Sequence, residues 1–218
     1  LEHFRAATRT SGAVVWQLND CWPVTSWAAI DGGGREKPLY FALKNAFEPR
    51  LVTIQPRGDG YVVVIDNDTD EHWHGPLELT RHRYSGDAVA RESVDVEVAA
   101  RSRREIAVAT SLAASTDPAS ELLAASLGPA RGEFFLAEPR DSTLPSPEFD
   151  LEVAATPEGV ALTVTARTLL RDLTLLVDKV DPGASVDSGL VTLLPGELHR
   201  FLVHGAHGAT AETLGNPR

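Results

Sequence analysis

The densest group of side chains that could do chemistry lies near the start of the chain. The apolar run AVVWQL occupies residues 13–18, and Asn19, Asp20, Cys21 and Trp22 follow it directly. Amide and carboxylate groups hydrogen-bond hydroxyls, and the broad apolar face of an indole can stack on the C–H face of a pyranose ring. These residue types together indicate a binding site for a neutral sugar.

The apolar run also predicts the element that would position these side chains. Residues 13–18 suit a strand buried on both faces, as in a parallel sheet. In (β/α)8 barrels the binding face is built from the C-terminal ends of strands, so polar residues directly after such a strand favour a functional role. An alternative stays open, in which Trp16 and Trp22 fill a core and Asn19 caps the following turn.

Charge and composition exclude several classes of partner. The chain has 31 acidic and 20 basic residues, a net charge of -11, whereas nucleic-acid affinity depends mainly on Lys and Arg contacts. No apolar run reaches the roughly 18 residues that a membrane span needs. We therefore expect neither a nucleic acid nor a membrane as partner, and a neutral ligand fits better.

Metal sites, cofactors and disulfides are not indicated. The single cysteine, Cys21, excludes an internal disulfide and a Cys-based metal site, so a reducing compartment such as the cytoplasm is permitted. His72 and His74 alternate on one strand face beside acidic residues, but no third ligand has suggestive spacing. We predict a solvated strand edge there, and no cofactor.

The remaining pattern is mostly β. Helices are predicted at residues 1–7 and from Pro38, a suitable first helical position, to about residue 46. Short β-rich runs separated by turn residues then predict sandwiches. The predicted strands are 51–55, 61–66, 75–84, 88–98, 104–109, 121–127, 133–137, 150–155, 159–166, 172–177, 190–193 and 199–203. A proline-rich stretch at 138–147 predicts a linker, and a frayed tail is expected after Gly205.

Several motifs resemble the C-terminal region of family 2 glycoside hydrolases of the β-mannosidase type. The resemblance rests on the segment GAVVWQLNDCWPVTSW at residues 12–27. It continues with Ile30, Asp31, a glycine turn, Arg35, Lys37, Pro38 and Tyr40. The Asn67-Asp68-Thr69 turn, which also fits a glycosylation pattern, and the run 193–197 resemble later domains of that family. The similarity is strongest over residues 12–41 and departs from the family at Asp187-Ser188-Gly189-Leu190.

The resemblance implies a retaining exo-hydrolase that releases mannose from the non-reducing end of β-mannosides. Retaining enzymes use two carboxyl groups about 5–5.5 Å apart, and in this family both are glutamates on barrel strands four and seven. We expect both to lie outside this chain, so no residue here is assigned a catalytic role. By position, Trp16 would be the floor of the sugar subsite, with Asn19, Asp20 and Trp22 in or just behind its wall.

The sequence therefore predicts a mainly β protein in three parts. These are a remnant of a (β/α)8 barrel at 1–48, an immunoglobulin-like β-sandwich at 49–144, and a smaller one at 145–218. The core of the last part is marginal, so we expect it to depend on the adjacent domain for stability. The substrate would be a β-mannoside or oligosaccharide bound through the barrel of a longer protein. Alone, the chain should be inactive, and its uncovered apolar remnant predicts self-association, or disorder of residues 1 to about 48.

Two alternatives remain. The same family contains exo-β-glucosaminidases, which share the barrel closure and differ mainly in the sugar subsite. A different class would be a non-catalytic carbohydrate-binding or scaffolding module made of the two sandwiches. Such a module would need exposed aromatics on one face, and the candidates Tyr61, Trp73, Tyr84 and Phe149 are scattered along the sequence.

Overall fold

The computed structural model describes residues 1–7, 9–10 and 12–205. Within them the chain divides into two compact units. Unit 1 consists of Leu1–Val14 together with Asn45–Leu144, and unit 2 consists of Val15–Lys44 together with the described residues from Pro145 onward. Each unit therefore combines a segment from the first 44 residues with a larger, strand-rich segment.

The described residues are mostly β, as the sequence predicted. The helices are α1 (Glu2–Ala6), α2 (Pro38–Ala46) and α3 (Thr110–Ala113), with 3-10 turns at Pro118–Ser120, Pro139–Asp141 and Val177–Lys179. The strands are β1 (Arg50–Arg57), β2 (Gly60–Asn67), β3 (Trp73–Arg83), β4 (Ala88–Val98), β5 (Ser102–Ala107), β6 (Glu121–Leu127), β7 (Ala130–Phe135), β8 (Phe149–Thr156), β9 (Gly159–Ala166), β10 (Leu170–Leu173), β11 (Ser185–Val186), β12 (Val191–Leu193) and β13 (Leu198–His204).

Unit 1 is a β-sandwich. One sheet has the order β1-β2-β5 and the other β4-β3-β6-β7. Neighbouring strands in both sheets are antiparallel. Inward-facing residues of both sheets form one core, which includes Val52, Ile65, Leu77, Val98 and Leu123. Because alternate residues of a strand point to opposite faces, each sheet presents one apolar face to this core.

Helix α1 is attached to unit 1 by polar contacts. Arg5 Nη1 donates to the carbonyl oxygens of Ala46 (2.6 Å) and Glu48 (2.9 Å), and Arg5 Nη2 donates to Asp68 Oδ2 (2.8 Å). The Thr53 hydroxyl on β1 donates to the Glu2 carboxylate at 2.6 Å. A helix of five residues is too short to be stable alone, so these contacts hold it in place.

Unit 2 contains a four-stranded sheet, β11-β13-β9-β8, and a two-stranded sheet, β10-β12. Its core joins residues of both sheets, among them Leu162, Leu170, Leu193 and Phe201. Phe41 of α2, only 3% exposed, belongs to the same core. The second sandwich is thus completed by a helix from early in the sequence.

Most predicted elements form, although two predicted strands are wrong. Residues 13–18 make no strand, because a doubly buried strand needs partners on both sides and the described residues supply only an isolated bridge at Asn19. Of residues 172–177, the first two end β10, where the register shifts and Asp172 has a φ of 54°, the next three are irregular, and Val177 begins a 3-10 turn. The predicted tail after Gly205 lies outside the described residues, and the three-part division stays a prediction.

Candidate functional site

We call residues 15–37 the Trp16 loop. Hydrogen bonds join distant parts of its backbone: Ile30 N donates to Leu18 O at 2.9 Å, and Asp20 N donates to Ile30 O at 3.0 Å. Ile30 also bridges Glu36 in antiparallel fashion. The peptide bond between Trp16 and Gln17 is cis. The backbone hydrogen bonds give the loop a defined path, although it has no regular secondary structure.

Asp20 is the polar centre of this loop. Asp20 is only 7% exposed. Gln17 Nε2 donates a hydrogen bond to Asp20 Oδ1 at 3.0 Å. The Ser26 hydroxyl donates to Asp20 Oδ2 at 2.6 Å and accepts from Ala28 N at 3.1 Å. A buried carboxylate needs such donors, since an unpaired charge inside a protein costs several kcal/mol. Both carboxylate oxygens of Asp20 are thus used within the loop.

The indoles of the loop are exposed. Trp16 is 76% exposed, Trp22 63% and Trp27 71%, and Asn19 is exposed beside them. The alternative in which Trp16 and Trp22 fill a core is therefore wrong for this chain. The Asn19 amide donates to Asp20 O at 3.2 Å, which leaves its side-chain carbonyl oxygen available.

Gly32 allows the Trp22 segment to lie close to the glycine turn. A Cβ atom at Gly32 would lie 2.4 Å from the Trp22 carbonyl carbon and 2.7 Å from Pro23 N. Asp31 closes the same turn, because Oδ1 accepts from Gly33 N (2.8 Å) and Arg35 N (2.9 Å). The hydrogen bond from the Arg35 backbone is the main cause that lowers the pKa of Asp31. The glycine run is a turn, as predicted.

A pocket of about 180 Å³ lies in the loop, and it brings together only some of the predicted site residues. Its lining includes Asp20 and Trp22 but neither Trp16 nor Asn19; the full lining is Gln17, Asp20, Cys21, Trp22, Val24, Thr25, Ser26 and Trp27. Sequence reasoning did not select Ser26 or Trp27 as site residues. A hydroxyl six residues after an acidic residue has no diagnostic spacing, so Ser26 could not be found without the folded loop.

The other sequence signals do not form sites in the described part of the chain. His72 Nδ1 lies 3.2 Å from Glu97 Oε1 at an exposed strand edge, and no group of three or more potential metal ligands occurs among residues 1–7, 9–10 and 12–205. Trp73 and Tyr84 are buried, which removes two aromatics from any exposed sandwich platform.

Asn67 is likewise a structural residue. It is fully buried, and its amide donates to Glu71 O at 2.8 Å and to Ala99 O at 2.9 Å. Its carbonyl oxygen accepts from the Thr69 hydroxyl at 2.6 Å. The Asn67-Asp68-Thr69 turn is therefore confirmed. A glycan would need the side-chain amide of Asn67 to be exposed, whereas here it is buried and hydrogen-bonded.

Comparison with known proteins gives partial but consistent matches. No protein-family model matches the chain. "Beta-mannosidase B" of Aspergillus niger is 30% identical over 103 residues, which cover 39% of this chain and 12% of that protein. The solved β-D-mannosidase of Dictyoglomus thermophilum superposes with a TM-score of 0.79 at 28% identity, covering 92% of this chain and 25% of that one.

A more distant structure shares the fold. The exo-chitosanase CsxA of Amycolatopsis orientalis superposes with a TM-score of 0.64 at 16% identity, over 98% of this chain and 30% of its own. The chain thus spans about an eighth of the fungal relative and 25–30% of each solved structure.

These matches define a class and then a type. The proteins that this chain resembles in fold and sequence are glycoside hydrolases. Among these hydrolases, the matches confirm that the chain resembles the β-mannosidase type of family 2, the type that residues 12–41 indicated. Among the described residues no helix is long and apolar enough to cross a membrane.

Proposed function

We propose that this chain is part of a retaining exo-β-mannosidase that hydrolyses terminal, non-reducing β-D-mannose from β-mannosides. In this proposal the Trp16 loop forms one wall of the sugar subsite, and residues 1–48 are the end of a (β/α)8 barrel whose other strands lie elsewhere in a longer protein. The two sandwiches, assigned to 49–144 and 145–218, support that barrel. Both catalytic glutamates would lie outside this chain.

The observation that carries the proposal is the exposure of the indoles on a loop that is held by backbone hydrogen bonds. Apolar side chains of this size are normally covered, and three exposed indoles within twelve residues need a partner. A pyranose ring supplies the apolar C–H face that an indole can cover. The similarity to β-mannosidases over most of the chain supports a mannoside as that ring.

The polar residues take complementary parts in this proposal. Trp16 is the floor of the subsite, and Trp22 with Asn19 forms its wall, where the free carbonyl oxygen of Asn19 can accept from a sugar hydroxyl. Asp20 lies just behind the wall, because its two oxygens are bonded to Gln17 and Ser26. Its role is to hold the loop rather than to react.

Hydrolysis of a panel of p-nitrophenyl glycosides tests the proposal. The longer protein and this chain would be assayed side by side on the β-mannoside, β-glucosaminide, β-glucoside and β-galactoside. We expect the longer protein alone to cleave the β-mannoside, since a retaining mechanism needs the carboxyl pair. Preference for the β-glucosaminide would replace mannosidase by glucosaminidase, and turnover by the chain alone would reject the absence of the catalytic pair.

A further inference from the structure

The loop at residues 187–189 in unit 2 is hydrogen-bonded to strand β13. Asp187 N donates to Leu202 O at 3.1 Å, and Leu202 N donates to Asp187 Oδ1 at 2.9 Å. The Ser188 hydroxyl oxygen and His199 Nε2 lie 2.9 Å apart. These three contacts fix the loop against a strand that is itself central in a four-stranded sheet.

The same loop holds helix α2. Lys44 Nζ donates to Asp187 O at 2.7 Å. Gly189 lies directly against the ring of Phe41, so that a Cβ atom there would be 2.8 Å from both Phe41 Cγ and Cδ2. Phe41 is buried in the core of unit 2. The loop therefore contacts α2 at two points, the buried Phe41 ring and the exposed Lys44 ammonium.

Helix α2 is in turn connected to the Trp16 loop. Lys37, directly before the helix, donates from Nζ to Ser26 O at 3.0 Å and from its backbone N to Ala29 O at 2.9 Å. Ser26 holds Asp20, which lies between Trp16 and Trp22 in sequence. A continuous series of packed and hydrogen-bonded groups of this kind can transmit a displacement.

We propose that residues 187–189 are a positioning element for the sugar subsite. By fixing α2 they set the place of the Trp16 loop, and hence of the indoles of Trp16 and Trp22, without touching a sugar. The consequence for sugar binding rests on the proposed function, whereas the mechanical link within unit 2 does not. Residues of the terminal sandwich thereby help to determine affinity for the substrate.

The first test replaces Gly189 by alanine and follows the indole N–H signals in a nitrogen-15 correlation spectrum of this chain. The added methyl group must displace Phe41, so we expect the signals of Trp16 and Trp22 to shift, whereas Trp73 in unit 1 stays in place. Gly183→Ala is the matched control, because its Cβ would meet Asp181 Oδ1 at an ordinary 3.5 Å and its φ needs no glycine.

A second pair of variants avoids the risk that Gly189→Ala unfolds unit 2. Lys44→Ala removes one exposed hydrogen bond, and Lys44→Arg keeps a donor at that place. In the longer protein we expect Gly189→Ala and Lys44→Ala to raise KM for the β-mannoside about fivefold with a smaller change in kcat, as for lost uniform binding. Lys44→Arg should restore KM to within about twofold, which mere loss of stability would not predict.

The outcomes separate this inference from the proposed function. If the signals of Trp16 and Trp22 keep their positions in folded Gly189→Ala and Lys44→Ala, residues 187–189 do not position the loop. If those signals move but the wild-type longer protein has no activity on β-mannosides, the link stands and the proposed substrate is wrong. If the signals move and KM does not, the loop is positioned but is not part of the subsite, which also overturns the proposal.

Discussion

The hydroxyl of Ser26 donates a 2.6 Å hydrogen bond to the buried carboxylate of Asp20, and this bond joins the two sides of the Trp16 loop. Ser26 also accepts from Ala28 N and offers its carbonyl oxygen to Lys37 Nζ. Ser26 thus connects Asp20, through its side chain, to Lys37 directly before helix α2, through its backbone carbonyl oxygen.

Replacing Ser26 by alanine should therefore destabilise unit 2. The change leaves a buried carboxylate oxygen and the Ala28 N–H without a partner, which costs about 1–3 kcal/mol of unfolding free energy. Urea denaturation followed by circular dichroism would measure the loss. The neighbouring Thr25→Ala is the control, since Thr25 is exposed. Equal stability of the two variants would show that the Asp20–Ser26 bond contributes nothing.

Replacing Asn67 by alanine should destabilise unit 1. The buried amide bonds the carbonyl oxygens of Glu71 and Ala99, and both would lose a donor, so we expect a loss of about 2–3 kcal/mol. The midpoint of urea unfolding should fall accordingly, whereas Asp59→Ala in the exposed β1–β2 turn should leave it unchanged. An Asn67→Ala protein as stable as the wild type would argue that water replaces the amide at no cost.

The stability of unit 2 should decrease as the pH falls from about 7 towards 5. Burial lowers the pKa of His199, although the nearby Asp187 acts in the opposite direction. With a folded pKa below the unfolded value of about 6.5, the unfolded chain binds the proton first, so acid favours unfolding. Unfolding free energies measured across this range should vary less for His199→Gln than for the wild type. The exposed His72→Gln control should keep the wild-type slope.

The isolated chain should self-associate. Val14 is 93% exposed and Trp27 71%, and large apolar side chains left uncovered in this way favour association with another chain. Sedimentation velocity at increasing concentration should show a rising average mass that falls again in Val14→Ser and Trp27→Ser. A single monomeric species at all concentrations would contradict this expectation.

Local patterns predicted the regular parts of the fold well. The bounds of β4, β6 and β9 agree with the strands predicted at 88–98, 121–127 and 159–166, because turn residues separate these short β-rich runs. Helix α2 also begins at Pro38 and ends at Ala46, as predicted. The strand Ser185–Val186 was missed, since two residues carry no period.

The candidate site was less predictable, because its geometry depends on tertiary contacts. The apolar pattern of residues 13–18 is equally compatible with a buried strand and with exposed side chains that await a partner, and here Val14 and Trp16 are exposed. The composition of the Trp16 loop indicated a sugar-binding wall. The burial of Asp20 and its bond to Ser26 arise from a turn that no local spacing encodes.

The most direct test of the central claim is the effect of Trp16→Ala on β-mannoside hydrolysis by the longer protein, compared with Val14→Ala. Both side chains are strongly exposed in the same stretch, but only the indole can stack on a sugar ring. We predict that kcat/KM falls at least about tenfold in Trp16→Ala, or about 1.4 kcal/mol of transition-state binding, and less than about twofold in Val14→Ala. Equal and small effects of the two substitutions would contradict the assignment of Trp16 to the sugar subsite.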